Sequence, residues 1–134
     1  MASTATFEVV KTPEQWRAIL TPTQYQVLRE AATERPGSSP LNAEKRRGTF
    51  VCAGCQLPLY TSQTKFESGT GWPSFTAPID NAVRTQPDRG LFGSRTEVHC
   101  RRCGGHLGHV FDDGPPPTGQ RWCMNGVAME FVAA

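Results

Sequence analysis

Hydrophobic positions recur at helical spacing only near the start of the chain, and beyond it they fall into short alternating runs. Thr12-Pro13-Glu14-Gln15 has the form of a helix beginning. The threonine can serve as N-cap, the proline fits the first turn, and Gln15 can complete a capping box. Trp16, Ile19 and Leu20 would then share the buried face. A second start follows at Thr21-Pro22-Thr23-Gln24, and Gln24, Val27, Leu28 and Ala31 repeat at the same spacing. This helix is predicted to end before Arg35-Pro36-Gly37. Ser38, Ser39, Pro40 and Asn42 mark 37–47 as a loop. Strands are predicted at 49–52, 58–60, 83–85, 96–100, 107–111, 121–125 and 127–132, with Gly, Pro and Asp between them at intervals that suit antiparallel pairing.

Composition sharpens this into a fold class. With 134 residues, 13 Gly, 11 Pro and 37% hydrophobic content, the chain is long enough for one core and too turn-rich for a helical bundle. The expectation is one mostly β domain over 1–134. A helical N-terminal part (1–47) would precede a β core (48–132) of antiparallel sheets, barrel-like or tent-like in form. Net charge is +2 and the 14 basic residues are scattered, so no nucleic-acid partner is expected. Residues 1–10 have neither the basic start nor the apolar run of a secretion signal, and no stretch approaches a membrane span. A soluble cytoplasmic protein, monomeric and without membrane contact, is the expectation.

The five cysteines add the first chemistry. Four form two C-x-x-C pairs, Cys52/Cys55 and Cys100/Cys103, with 44 residues between the pairs. In a chain expected to be cytoplasmic, two such pairs read as one four-thiolate zinc site, each pair placing two sulfurs about 2.3 Å from a tetrahedral ion. Gly54, Gly104 and Gly105 would help the turns to close. A disulfide and a redox-active C-x-x-C are the competing readings, and the reducing setting disfavours the first. Four thiolates leave the metal no open position, so its role would be structural, with an apparent contribution of roughly 10–16 kcal/mol.

The fifth cysteine lies in Arg121-Trp122-Cys123-Met124-Asn125. In a strand, Arg121, Cys123 and Asn125 share one face, while Trp122 and Met124 pin the other to a core. A guanidinium two residues from the thiol is expected to lower its pKa and make Cys123 a nucleophile. Two further segments resist a purely structural account. Ser68-Gly69-Thr70-Gly71-Trp72-Pro73-Ser74-Phe75 is too glycine-rich for a strand and carries Trp72 on a constrained turn, although a tryptophan plugging the core is the commoner explanation. Gly104-Gly105-His106-Leu107-Gly108-His109-Val110-Phe111 holds two histidines just after a metal-binding pair, and either could replace a cysteine as ligand. His106 and His109 would point to opposite faces of a straight strand, so a bend at Gly108 is expected to bring them together.

Together these segments, in this order and spacing, resemble the B-type methionine-R-sulfoxide reductases from about residue 48 to 131. The resemblance implies reduction of the R epimer of methionine sulfoxide, free or in proteins, on a mostly antiparallel β fold with one structural zinc held by Cys52, Cys55, Cys100 and Cys103. It implies that Cys123 attacks the sulfoxide sulfur, that Asn125, His106 and His109 bind and protonate the oxygen, and that Trp72, Phe111 and Arg121 line the substrate site. Many members of that family carry a resolving cysteine where this chain has Thr70. A sulfenic acid on Cys123 would then turn to an external thiol such as thioredoxin. A non-catalytic zinc-binding interaction module is the alternative, and it gives no reason for an unpaired thiol between Arg121 and Asn125.

Overall fold

Local hydrogen bonding sets both helices. In the computed structural model, which describes residues 7–90 and 93–134, α1 (Pro13–Ile19) and α2 (Pro22–Glu30) each open with a complete capping box, Thr12 with Gln15 and Thr21 with Gln24. The reading of residues 1–10 as lacking a leader falls largely outside the described residues. Trp16 and Leu20 are buried as expected, but Ile19 is 56% exposed. Over seven residues α1 buries a stripe only one side chain wide per turn, and Ile19 falls beside it. α2 ends sooner than predicted, because Ala31 takes a left-handed conformation (φ 57°). Its early end frees residues 31–37 to run across the β core. Among the described residues, no helix is long and apolar enough to cross a membrane.

The strands are β1 (Gly48–Cys52), β2 (Pro58–Thr61), β3 (Lys65–Phe66), β4 (Ser74–Phe75), β5 (Val83–Gly90), β6 (Gly93–Cys100), β7 (His106–Phe111), β8 (Arg121–Met124) and β9 (Met129–Ala133). They form two antiparallel sheets, β2-β1-β9 and β3-β4-β8-β7-β6-β5. The fold is thus mostly β and antiparallel as expected, and the sheets stay open without closing into a barrel. Between them Phe50 meets Phe75 at 5.1 Å between centroids, and Tyr60 stacks on Phe75 at 4.3 Å. The Tyr60 hydroxyl donates to Met124 Sδ at 3.3 Å. All four side chains are fully buried, each worth about 1.5–3 kcal/mol in removal of apolar surface from water.

Several strand limits differ from prediction for identifiable reasons. β5 and β6 run in register from Val83–Cys100 to Gly90–Gly93, longer than their hydrophobic runs. β5 is an edge strand, so Pro87, which has no N–H, does not interrupt the ladder. β4 was not predicted, because a glycine-rich approach hides it, yet it pairs Ser74 with Cys123 and Phe75 with Trp122. The chain makes a 3-10 turn at Gly126–Ala128 where a strand was expected from residue 127.

Candidate active site and metal centre

Two matching turns bring the four paired cysteines together. In each C-x-x-C pair the residue after the second cysteine has positive φ, Gln56 at 68° and Gly104 at 76°. Its N–H donates to the carbonyl of the first cysteine, Gln56 to Cys52 at 2.8 Å and Gly104 to Cys100 at 2.9 Å. The turn therefore depends on the residue after each pair, and Gly54 helps as expected but not through a positive φ: its N–H donates to Cys52 Sγ at 3.3 Å. Across the pairs, the Cys52 and Cys103 sulfurs lie 3.8 Å apart and those of Cys55 and Cys100 3.4 Å, and all four fall within 4.8 Å of one another. A tetrahedral zinc with 2.3 Å bonds needs sulfurs about 3.8 Å apart, so the four residues fit the ion. Hydrogen bonds among the four thiols pull Cys55 and Cys100 below the usual thiol range and push Cys52 and Cys103 above it. A divalent ion held by the four would favour thiolate at every one.

The fifth cysteine faces a different environment. β8 alternates as predicted, with Trp122 and Met124 buried and Arg121 and Cys123 half-buried on the other face. That face lines a cleft of about 290 Å³ together with Thr70, Trp72, His109, Phe111 and Asn125. Gly108 is required beside it, because a Cβ there would lie 2.1 Å from the Cys123 carbonyl oxygen. A larger groove of about 800 Å³, with Ser38, Leu41 and Phe131 in its wall, has no cysteine or histidine in its lining.

Hydrogen bonds fix the cleft walls. The Trp72 indole N–H donates to the Glu34 carbonyl at 3.0 Å. The Glu34 N–H donates to Asn125 Oδ1 at 3.0 Å, and Asn125 Nδ2 donates to the Leu107 carbonyl at 3.0 Å. The Glu34 carboxylate, itself buried, accepts from the Gly126 and Val127 N–H groups at 2.9 Å each. One residue of the segment after α2 thus ties the indole, the amide and the turn after β8 together. Arg121 makes a two-pronged pair with Asp113 (2.9 and 3.1 Å) and lies over the Phe111 ring at 4.4 Å.

His106 and His109 do share a face, although the bend is not at Gly108. Val98 pairs with Gly108 and His99 with His106, which leaves Leu107 as the extra residue of a bulge on β7. The two rings meet edge to face at 5.6 Å. His109 reaches the cleft, but His106 is only 3% exposed, is not part of the lining, and lies behind it. Burial, with the neighbouring His99, holds the His106 pKa below the ordinary histidine value.

Residues 20–133 match the family described as the SelR domain. The chain belongs to the SelR family. Among SelR relatives, the peptide methionine sulfoxide reductase MsrB of Pseudomonas putida (strain W619) is 54% identical over 125 residues, 92% of this chain and 94% of that protein. The protein of the same name from Methanosarcina mazei is 53% identical over 126 residues, 93% and 90% of the two chains. A solved Mis18 "Yippee-like" domain aligns with a TM-score of 0.54 at 17% identity, covering 66% of this chain and 98% of its own, which is a likeness of fold alone.

In this SelR chain one expectation about the nucleophile is overturned. The Cys123 thiol is pushed above the ordinary cysteine value, because burial outweighs the opposing influence of Thr70, Arg121 and Ser74. The cation two residues away is shared with Asp113, which blunts its field at the sulfur. Sequence reasoning also missed Glu34, whose partners lie 38 to 93 residues away, and Glu97, which faces His109 across β6 and β7. Thr70, singled out in the sequence because the resemblance implies a resolving cysteine there, has its hydroxyl 4.0 Å from the Cys123 sulfur.

Proposed function

We propose that the protein reduces the R epimer of methionine sulfoxide, in proteins or free, through Cys123, and that thioredoxin or another external dithiol regenerates the enzyme. Methionine sulfoxide reduction follows from the family. The observation that supports Cys123 as its agent is the position of this sulfur, away from the metal cluster and in one cleft with Trp72, His109 and Asn125.

Cys123 sulfur attacks the sulfoxide sulfur, the substrate S–O bond breaks, and an S–O bond forms on Cys123. The substrate gains two electrons and the cysteine loses two, giving methionine and a sulfenic acid. The half-buried thiol brings its own proton, which His109 can take and return to the departing oxygen. Asn125 retains one amide N–H beyond its bond to Leu107, which suits the same oxygen. Trp72 offers an apolar wall to the methyl group. The dithiol then attacks the sulfenic sulfur, expelling water, and its second thiol releases Cys123 and leaves as disulfide. Zinc at the four clustered cysteines holds the fold.

Turnover of a dabsylated methionine R-sulfoxide with thioredoxin or dithiothreitol tests this. Cys123→Ser is expected to fold, keep one zinc and lose essentially all activity, and the S epimer is expected to be inert. After one turnover without reductant, mass spectrometry should find a sulfenic acid or an external adduct on Cys123. Activity in Cys123→Ser, or a bridge from Cys123 to a metal-centre cysteine, would overturn the reading.

A further inference from the structure

Behind the cleft wall, β6 and β7 bring together four polar side chains that the reductase chemistry does not fully use. Glu97 stands opposite His109 and His99 opposite His106 in the ladder, and the Leu107 bulge turns both β7 histidines to that one face. Glu97, His106 and His109 each offer a ligand atom within 4.8 Å of the other two. His106 is 97% buried, yet its Nδ1 has no hydrogen-bond partner. A buried polar atom left unsatisfied costs roughly 1–3 kcal/mol, and an ion is one partner that removes that cost. The carboxylate is held in place as well: His99 Nε2 contacts Glu97 Oε1 at 2.8 Å, while His99 Nδ1 faces the Gly104 carbonyl at 3.2 Å. A carboxylate with such outer support is characteristic of metal ligands.

We propose that Glu97, His106 and His109 form a second metal site, separate from the four cysteines, for one divalent ion of the Zn2+, Co2+ or Ni2+ class. Two imidazoles and one carboxylate suit that class, and three protein donors leave a coordination position open. His109 lines the cleft, so the open position faces substrate. Donors about 2.1 Å from a tetrahedral ion sit about 3.4 Å apart, so the three side chains close up from this arrangement when the ion binds. An ion here occupies the His109 nitrogen and blocks the cleft, so excess metal reversibly inhibits the enzyme. That inhibition rests on the reductase reading, whereas the site itself does not.

The test is Co2+ binding to the protein carrying its structural zinc, followed by equilibrium dialysis and absorption. One further Co2+ per chain is expected, with weak ligand-field bands and no strong thiolate charge-transfer band. Binding should persist in Cys123→Ser and weaken by about tenfold or more in Glu97→Gln. Retained structural zinc reports that each variant is folded. If Glu97→Gln does not fold, His109→Asn takes its place with the same expectation. Absence of a saturable second ion, unchanged affinity in the folded variant, or loss of binding in Cys123→Ser would overturn the site. Binding without inhibition would leave the site standing and count against His109 as the proton relay.

Discussion

The chain holds two kinds of cysteine, and they are built in opposite ways. Each metal-centre pair is closed locally, by a bond from the residue after it to the first cysteine's carbonyl and by a second from the first cysteine's N–H to Leu57 or Gly105. The Cys123 cleft is closed by partners far apart in sequence: Glu34 reaches Asn125, Gly126 and Trp72 across separations of 91, 92 and 38 residues. Local closure shapes each pair's turn within a few residues, although the two turns meet only when the fold brings them together. Long-range closure makes a cleft that exists only once both sheets and the segment after α2 are in place.

Cys55→Ser should break both regions at once. Loss of a structural zinc forfeits an apparent contribution on the order of 10 kcal/mol, comparable with the whole stability of a domain of this size. The expected outcome, read by metal content and circular dichroism, is a metal-poor chain without a cooperative thermal transition. A strong chelator acting on the wild type should give the same result. Cys123→Ser should leave both readouts unchanged, so the pair of variants separates fold from chemistry.

Glu34→Ala should damage the cleft and spare the metal centre. It leaves the Gly126 and Val127 N–H groups without their acceptor, at a cost of roughly 3 kcal/mol for the two together. Urea unfolding should report that loss while zinc content stays at one per chain. Glu34→Gln keeps one acceptor and should lose about half as much. Equal stability of Glu34→Ala and wild type would show that the carboxylate is not the tie described above.

What the sequence revealed follows the same division. The helix starts, the cysteine pairs and the alternation of β8 were legible because each is decided within a few residues. Glu34 was not, since a glutamate in Thr33-Glu34-Arg35-Pro36 reads as an ordinary loop residue until its partners are known. The Leu107 bulge was misplaced at Gly108 because a register shift belongs to the partner strand as much as to its own. The sign of the Cys123 shift was missed for a related reason. Arg121 is a neighbour in sequence, whereas burial and the competing Asp113 belong to the assembled cleft.

That sign gives the smallest and sharpest test of the contrast. Burial raises the Cys123 thiol above its ordinary value, and Arg121 partly opposes it. At neutral pH the group is protonated, and its thiolate fraction climbs as pH rises toward the raised pKa. Alkylation of Cys123 by iodoacetamide should therefore accelerate with pH to above pH 9, the ordinary thiol value. Arg121→Leu removes a lowering influence, so its curve should move to higher pH and its rate at neutral pH fall a few-fold. Asp113→Asn frees the guanidinium and should move the curve the other way. With zinc bound, the four clustered thiolates should not react in either variant. If both substitutions shift the curve in one direction, the pairing of Arg121 with Asp113 does not govern the field at the sulfur, and burial alone sets it.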